Sequence, residues 1–268
     1  MAKTIARNNY QATLTGATGG IGQAIAQSLA PQCRSLILLG RDLPKLQALQ
    51  ASLSHSGAEI KILAGDLTQE QTLSELKALV QSMGGIDLLI NNAGTSQFKS
   101  FTEQTSSELE GLLKTNLVAP MLLTQALVPE LMKAKEAQII NIGSIFGYIG
   151  FPGFASYCAS KFGLRGFSQS LRRELADTSI RVKYFAPRAT KTSINSDAVM
   201  QMNVELKTES DTPAWVANEF MKFLESSAWE KKLGGKESFF VFMNQLFPSV
   251  PDKAILGQLP IIKKYLKR

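Results

Sequence analysis

A tyrosine and a lysine four residues apart, in Ser156-Tyr157-Cys158-Ala159-Ser160-Lys161, could together move a proton. The alanine, serine, leucine and arginine around them favour a helix, and this spacing puts both side chains on one face, about 5–6 Å apart at Cβ. A tyrosine hydroxyl titrates near pH 10 and is a poor acid or base at neutrality unless a positive charge favours the phenolate. Lys161 could supply that charge, although a solvated or interfacial Tyr/Lys pair has the same spacing.

A glycine-rich segment near the start of the chain, Thr15-Gly16-Ala17-Thr18-Gly19-Gly20-Ile21-Gly22, follows a strand candidate and runs into a helix candidate. Glycines let a backbone turn tightly and approach a pyrophosphate, which the N–H groups at a helix start can bind. The spacing departs from G-x-G-x-x-G, so alone it could be a structural turn. Between a strand and a helix it predicts dinucleotide binding. The predicted contacts are Gly16, Thr18, Gly20, Ile21 and Gly22.

Apolar runs of strand length alternate along the chain with helical periodicities, which is the pattern of a parallel sheet covered on both faces. The sequence therefore predicts an α/β fold: a doubly wound, Rossmann-type parallel sheet with helices on both faces, plus a helical C-terminal extension. Ligands of such sheets bind beyond the carboxyl ends of the strands. The predicted strands are 11–15, 35–39, 59–63, 86–90, 138–142 and 180–185, and the predicted helices are 21–30, 42–55, 69–82, 105–117, 119–134 and 156–177.

The residues after the second predicted strand, Leu39-Gly40-Arg41, bear on the type of dinucleotide. An acidic residue here binds the ribose of NAD, whereas a 2′-phosphate needs a cation. Arg41 offers several N–H donors to a phosphate, although it could instead pair with Asp42 or lie in a surface turn that caps the next helix. We therefore predict NADP(H) as the preferred cofactor, without excluding NAD(H).

These segments together resemble the short-chain dehydrogenase/reductase family, in its compact single-domain branch. The resemblance covers residues 10–192. It rests on Thr15-Gly16-x-x-x-Gly20-x-Gly22, Asp66, Asn91-Asn92-Ala93-Gly94, Asn116, Ser144 and Tyr157-x-x-x-Lys161.

The resemblance implies an acid/base relay of four residues. When a hydride is transferred to a carbonyl carbon, negative charge develops on the oxygen and must be stabilised and protonated. By resemblance, Ser144 would hydrogen-bond that oxygen and Tyr157 would protonate it. Lys161 would hold the nicotinamide ribose hydroxyls and lower the pKa of the tyrosine, and Asn116 would position a water. Taken singly, these could instead be a capping serine, a tyrosine at the core edge and an asparagine at a helix kink.

Further cofactor contacts follow from the same resemblance. Asp66 would hydrogen-bond the adenine amino group beside Leu67, or else belong to the N-cap region of the next helix. The turn containing Asn92, Ala93 and Gly94 would shape the sheet edge beside the cofactor. Pro187 and Thr192 would lie at the nicotinamide carboxamide. One departure stands out, because Arg188 replaces the glycine of the family's Pro-Gly turn and could redirect the loop, contact an acidic substrate group or face solvent.

We expect one domain over residues 1–268, with a cofactor-binding and catalytic core at 10–192, a substrate lid at 193–235 and an amphipathic extension at 236–268. Met200, Met202, Val204 and Leu206 suit either an apolar ligand or plain core packing. A helix opening at Asp211-Thr212-Pro213 is expected to run to about Ser226. The extension reads as short helices broken by Pro248, Pro251 and Pro260. Its apolar residues are expected to cover the substrate mouth or another subunit, namely Phe239, Phe240, Phe242, Leu246 and Phe247.

The composition fits an ordinary globular protein, with 44% hydrophobic residues, two cysteines and a formal net charge of +7. No secretory segment or run of about 18 apolar residues is visible, so we expect a soluble, cytoplasmic protein. Cys33, Cys158 and His55 lack the spacing of metal ligands, and His55 lacks the partners of a hydrolase triad. The charge could signal nucleic acid, but the basic residues form no stripe. The dense tail, 263–268, predicts at most weak contact with an anionic membrane surface.

The sequence thus predicts an NADP(H)-dependent oxidoreductase that interconverts a carbonyl and an alcohol on a small substrate that is apolar or acyl/lipid-like. The resemblance also implies a homodimer or homotetramer built on helices 105–134 and 156–177. The alternative is a catalytically silent nucleotide-binding regulatory or scaffold protein of the same fold.

Overall fold

The computed structural model describes residues 9–266, and the strands in that range form one parallel sheet in the order β3-β2-β1-β4-β5-β6-β7. The chain extends the sheet in one direction from β1 to β3, and then returns to place β4 on the other side of β1. Strand order therefore reverses between β1 and β4, where sheets of this kind bind ligands. The strands are β1 Tyr10–Thr15, β2 Cys33–Gly40, β3 Glu59–Ala64, β4 Leu88–Asn91, β5 Ala137–Ile142, β6 Ile180–Ala186 and β7 Glu230–Lys232.

Helices cover both faces of the sheet, which confirms the predicted fold class. On one face, α1, α2 and α8 bury residues such as Ile25, Leu46 and Phe220 against the strands. On the other, α3, α5 and α6 pack over residues such as Ile37 and Ile139. The helices are α1 Gly20–Leu29, α2 Leu43–Ser52, α3 Glu70–Ser82, α4 Ser106–Leu113, α5 Ala119–Leu131, α6 Ala155–Glu174, α7 Asp197–Glu205, α8 Pro213–Glu225, α9 Gly235–Leu246 and α10 Ser249–Leu266.

The helices α4 and α5 are joined without a break by a π-helical segment, Lys114–Val118, where the sequence predicted two separate helices. The run Ser106–Leu131 is long and apolar enough, by length and hydropathy alone, to cross a membrane. This finding departs from the expectation that no such stretch exists. Buried residues of the run, including Leu123 and Leu127, pack on the sheet, and core helices of many proteins pass the same test.

The C-terminal extension differs most from the sequence prediction. Pro248 does separate α9 from α10, but α10 continues through Pro251 and Pro260. Pro251 lies in the first turn, where its missing N–H has no partner to lose, whereas Pro260 interrupts only one bond of a long helix. At its far end α10 is fastened to α7, because Tyr265 and Lys264 both bind the Glu205 carboxylate, at 2.6 and 2.7 Å.

The apolar side chains of α9 divide between two surroundings. Val241 is buried and Phe240 is partly buried, in a cluster with Tyr148 and Tyr184. The remaining apolar residues that were expected to cover the substrate mouth are more than half exposed. These residues do not cover the substrate mouth, and their packing against another subunit stays a prediction; they are Phe239, Phe242, Leu246 and Phe247.

Candidate active site

A cleft of about 1300 Å³ lies at the carboxyl ends of the strands, around the point where strand order reverses. Its walls come from the glycine turn, the ends of β2 and β3, the turn after β4 and the loops after β5 and β6. Except for Asn116, every residue predicted to contact cofactor or substrate lines it. These residues are Gly16, Thr18, Gly20, Ile21, Gly22, Arg41, Asp66, Leu67, Asn92, Ala93, Gly94, Ser144, Tyr157, Lys161, Pro187 and Thr192.

The glycine turn is shaped so that backbone forms the cleft wall. Gly16 has φ +63°, and a Cβ there would lie 2.7 Å from Ala93 Cα. A Cβ on Gly22 would lie 2.2 Å from the Gly16 carbonyl oxygen, so both positions require glycine. The first turn of α1 has neither a side-chain cap nor an acidic residue. Its N–H groups and the positive helix end can therefore bind an anion.

The turn after β4 holds the glycine turn in place. Asn92 donates from Nδ2 to the carbonyl oxygens of Thr15 and Gly16, both at 3.0 Å. The Thr15 hydroxyl accepts the backbone N–H groups of Asn92 and Ala93, also at 3.0 Å. Side chains that bind backbone in this way fix the shape of a pocket, which fits the scaffold role expected of this segment.

Two cationic side chains, Arg41 and Lys45, lie where the 2′-phosphate of the cofactor ribose is expected. Asp42 caps α2 by accepting the Lys45 N–H at 3.0 Å, and its carboxylate pairs with the Lys45 ammonium at 3.0 Å. Asp42, which could have paired with Arg41, therefore binds Lys45 instead. Both Arg41 and Lys45 line the cleft. The sequence analysis missed Lys45, although its position one helical turn after the capping aspartate could have indicated it.

Asp66 is held in a tight local turn just after β3, where it lines the cleft. Its Oδ1 accepts the Thr68 N–H at 2.8 Å, and this hydrogen bond lowers the pKa of the carboxyl below its usual value. Arg41 and Lys114 add smaller contributions in the same direction. The side chain is thus an ionised acceptor at neutral pH, beside the buried Leu67. The N-cap of α3 is Gln69, so Asp66 does not cap that helix directly.

Ser144, Tyr157 and Lys161 meet at the centre of the cleft. The Tyr157 hydroxyl hydrogen-bonds the Ser144 side chain, and the Ser144 Oγ also accepts the Phe146 N–H at 3.1 Å. Lys161 Nζ lies 5.8 Å from the Tyr157 ring centroid and donates to the Ile142 carbonyl at 3.0 Å. The tyrosine and the lysine share one face of α6, as their spacing predicted.

Burial is the main cause of the pKa shifts of Tyr157 and Lys161. It raises the pKa of Tyr157 to about 12, while the hydrogen bond with Ser144 acts in the opposite direction. Burial also lowers the pKa of Lys161 to about 8. Lys161 is not among the groups that shift the pKa of Tyr157 in this structure, and its expected lowering of that pKa stays a prediction. At neutral pH the phenol therefore keeps its proton and the lysine is mostly charged.

Asn116 lies behind the cleft wall, in the π-helical segment between α4 and α5. Its amide nitrogen donates to the Thr95 carbonyl at 2.8 Å and to the Ser160 hydroxyl at 3.1 Å, and its oxygen accepts the Thr95 N–H at 2.8 Å. These bonds tie the segment after β4 to α6. Its role in proton supply stays a prediction.

Tyr184, a buried residue of β6, contacts both the loop that carries Ser144 and the helix that carries Lys161. Its hydroxyl accepts the Ser144 N–H at 3.4 Å and donates to the Lys161 carbonyl at 3.3 Å. A Cβ on Gly143 or Gly147 would lie within 2.3 Å of this side chain, so the two glycines make room for it. The sequence analysis missed this contact because the three residues are distant in the chain.

The loop after β6 fits a nicotinamide carboxamide. The Thr192 hydroxyl is buried and has no hydrogen-bond partner among the described residues. Such a group normally has a partner, and an amide could provide one. A Cβ on Gly20 would lie 2.6 Å from Thr192 Cγ2, so the glycine lets this loop approach the start of α1. The glycine turn and this orphan hydroxyl together fit a nicotinamide dinucleotide.

Arg188 does not face solvent, and carboxylates of this chain surround it. Its Nε and Nη2 bind the two oxygens of Asp211 at 3.0 and 2.9 Å, and its Nη1 binds Glu209 at 2.7 Å. Nη1 also reaches Glu237 at 3.2 Å. Of the alternatives for this residue, solvent exposure is wrong, and contact with an acidic substrate group would require these ion pairs to be broken.

The other half of the cleft is apolar and aromatic. Phe146 stacks on Phe151 with ring centroids 5.4 Å apart, and Phe154 packs against both rings and against Tyr157. On the lid, Met202 of α7 faces the same space and is buried. The sequence pattern had indicated the methionines but not the phenylalanines. Val204, by contrast, is largely exposed on α7.

The two cysteines and the histidine that were considered as metal ligands do not line the cleft. Cys33 and Cys158 are buried thiols, and His55 is exposed just after α2. Within residues 9–266, no group of three or more His, Cys, Asp or Glu side chains is placed to hold a metal ion.

Comparison with known proteins finds similarity over most of the chain. A family model described as short chain dehydrogenase matches residues 11–203. Nodulation protein G of Rhizobium sp. (strain N33) is 39% identical over 181 residues, which are 66% of this chain and 71% of that protein. A 3-oxoacyl-acyl-carrier-protein reductase of Haemophilus influenzae is 35% identical over 176 residues, which are 66% of this chain and 72% of that protein.

Solved structures extend the similarity to the whole fold. A short-chain dehydrogenase from Streptomyces avermitilis matches with a TM-score of 0.77 and 26% identity, covering 97% of this chain and 99% of that one. A short-chain dehydrogenase from Sphingobium yanoikuyae in complex with NADPH matches with a TM-score of 0.75 and 27% identity, covering 93% of this chain and 94% of that one.

Proposed function

Because the chain belongs to the short-chain dehydrogenase family of oxidoreductases, we propose that it uses NADP(H) to interconvert a carbonyl and an alcohol on an apolar substrate. The observation that carries this proposal is the meeting of Ser144, Tyr157 and Lys161 inside a cleft that fits a nicotinamide dinucleotide. Relatives of this chain include a protein named as an acyl-carrier-protein reductase.

The residues of the cleft divide the chemistry among them. A bound reduced nicotinamide would supply the hydride. The Ser144 hydroxyl would hydrogen-bond the substrate oxygen as negative charge develops on it, and Tyr157 would donate its proton to that oxygen. The raised pKa of Tyr157 keeps this proton in place at neutral pH. Lys161 would hold the ribose hydroxyls, and Asn116 would position a water through which the proton is resupplied.

We test the reaction with NADPH oxidation against a panel of apolar carbonyl compounds of graded size. Tyr157→Phe removes the proton donor, so turnover should fall by about 10²–10⁴-fold, while the NADPH Kd stays within about twofold. Tyr148→Phe is the matched control, because that buried hydroxyl binds Glu230 at 2.9 Å and does not line the cleft. Retained turnover in Tyr157→Phe would refute the mechanism, and wild-type protein that binds NADPH without turnover would favour the silent scaffold.

The preference for NADP(H) rests on Arg41 and Lys45, which line the cleft after β2. Removing a cation from a phosphate contact should weaken NADPH and leave NADH almost unchanged. We expect Arg41→Ala and Lys45→Ala each to raise the NADPH Kd about tenfold or more. Lys77→Ala on α3, an exposed lysine outside the cleft, is the control. Equal losses for NADPH and NADH would remove both residues from a phosphate site.

The substrate class follows from the lining of the second half of the cleft. Phe146, Phe151 and Phe154 form an aromatic wall and Met202 closes it from the lid. Aromatic and methionine side chains bind irregular apolar groups. We therefore infer an acyl chain or a similarly bulky apolar group beside the carbonyl, and kcat/KM should rise with the apolar size of the panel compound.

A further inference from the structure

We propose that Arg188 is a positioning residue that sets the shape of the substrate half of the cleft, by fastening the lid and α9 to the loop after β6. The proposal rests on the proposed function for its catalytic readouts. The cluster around Arg188 joins three segments that are distant in the chain, and each of them contributes to the cleft wall.

The first connection is to the end of the lid. Arg188 binds the Asp211 carboxylate with two parallel hydrogen bonds, at 3.0 and 2.9 Å, the arrangement in which arginine and carboxylate are held most rigidly. Both side chains are shielded, with 14% of Arg188 and 8% of Asp211 exposed. A pair so shielded from water is screened much less than a surface pair.

Backbone pairing reinforces this connection. The Asp211 N–H donates to the Ala189 carbonyl at 2.9 Å, and the Lys191 N–H donates to the Asp211 carbonyl at 2.9 Å. The segment between them, residues 192–210, is thereby a closed loop whose two ends are held together. It carries Val199 and Met202 of α7 into the cleft. Any shift at the Arg188 and Asp211 pair would move this wall.

The second connection is to α9. Nη1 of Arg188 reaches the Glu237 carboxylate at 3.2 Å, and both side chains line the cleft. Gly234, with φ +90°, precedes α9, and a Cβ there would lie 2.1 Å from the Glu237 carboxylate and 2.9 Å from Arg188 Cδ. Glycine at this position leaves room for the arginine between the loop and the helix.

Arg188 reduces the net charge of its cluster from −2 to −1. Three carboxylates surround Arg188, and Lys236 offsets one of them by binding Glu209 at 2.8 Å. Without the arginine, Asp211 and Glu237 would repel each other in a shielded site, which is costly. The hydrogen bonds that Arg188 donates to Asp211 also raise the pKa of the arginine above its ordinary value, so the charge is permanent.

The decisive variant is Arg188→Gly, which restores the residue usual in the family. We expect KM for the apolar carbonyl to rise about tenfold or more, with kcat and the NADPH Kd changed by less than about threefold. Arg188→Lys keeps the charge but loses the paired geometry, so it should recover part of the loss. Lys236→Ala is the matched control, because it removes the exposed ion pair of the same cluster and should leave KM unchanged.

A second measurement does not depend on turnover. Limited proteolysis should cut within 192–210 at least tenfold faster in Arg188→Gly than in wild type, and adding Asp211→Asn and Glu237→Gln to that variant should slow the cleavage again by relieving repulsion. Unchanged proteolysis and KM would overturn the proposal even if the carbonyl reaction is confirmed. A loss confined to substrates with an acidic group would instead make Arg188 a substrate ligand. If no carbonyl is reduced, the proteolysis result still decides the proposal.

Discussion

At the scale of single residues, the site is governed by the cost of charge in a shielded cleft. Burial disfavours the phenolate of Tyr157 and the ammonium of Lys161 alike, and it moves their pKa values to about 12 and about 8. At pH 7 the protein therefore holds a protonated phenol beside a charged lysine, whose pKa of about 8 is only slightly above that pH. A phenol that keeps its proton at pH 7 is available as the donor in the carbonyl reduction proposed above.

Cofactor binding should therefore depend on pH through Lys161. A dinucleotide favours the charged lysine, so its pKa rises on binding and affinity falls as pH rises above about 8, by at most tenfold per pH unit. NADPH fluorescence titrations from pH 7 to 9.5 should show this decline in wild-type protein. Lys161→Met should bind weakly at every pH without a break. A break that persists in the variant would assign the titration to another group.

The residues that sequence could identify are those whose role is carried by local pattern. Tyr157 and Lys161 are one helical turn apart, and the glycine turn is contiguous, so spacing alone brings each set together. Tyr184, Arg188 and the aromatic wall depend on contacts between distant segments, and no local spacing records them. The charge environment was missed for the same reason, because burial of Tyr157 depends on the lid and on the loops around it.

At the scale of elements, Asp87 joins three strands at the amino end of β4. Its backbone exchanges hydrogen bonds with Gln11 and Gln138, and its carboxylate accepts the Gln11 N–H at 3.1 Å. Burial raises the pKa of this carboxyl to about 6, although that hydrogen bond acts to lower it. A folded-state pKa above the unfolded value means that the native protein loses stability as pH rises from about 4 to 6, and stays less stable above.

Asp87→Asn keeps the acceptor oxygen and removes the ionisation. We expect the variant to be more stable than wild type by about 1–2 kcal/mol at pH 7, which discounts the full shift for partial exposure, and no more stable than wild type at pH 4. Urea unfolding at both pH values measures the difference. Asp177→Asn, at an exposed position after α6, is the control and should show no pH-dependent change. Equal effects of Asp87→Asn at both pH values would contradict the burial argument.

The elements also show where local pattern stops deciding structure. The six long parallel strands were predicted because their apolar runs are nearly continuous. β7 was not, since Glu230-Lys231-Lys232 has no strand pattern and becomes a strand only by pairing with the edge of β6. The helix α7 was not among the predicted helices. A break at Pro260 was predicted, but α10 continues through this residue.

At the scale of the whole molecule, two apolar surfaces remain exposed. One lies on the π-helical segment, α5 and α6, where Val118, Met121, Leu122 and Phe162 are each about 40% exposed. The other lies on α9 and includes Phe239 and Phe242. Large contiguous patches of exposed apolar surface mark interaction sites. The weak contact of the C-terminal tail with an anionic membrane surface stays a prediction, and its last two residues lie outside the described range.

We propose that the first surface is where copies of the chain associate as a homodimer or homotetramer. The π-helical segment and α6 already pack closely, since a Cβ on Gly163 would lie 2.8 Å from Leu117, so their exposed side chains form part of one rigid face. Charge placed at the centre of an apolar interface must be desolvated without a partner. Met121→Glu with Leu122→Glu should therefore yield monomers in light scattering after size exclusion. Phe239→Glu with Phe242→Glu is the control, and loss of association in that variant alone would place the interface on α9 instead.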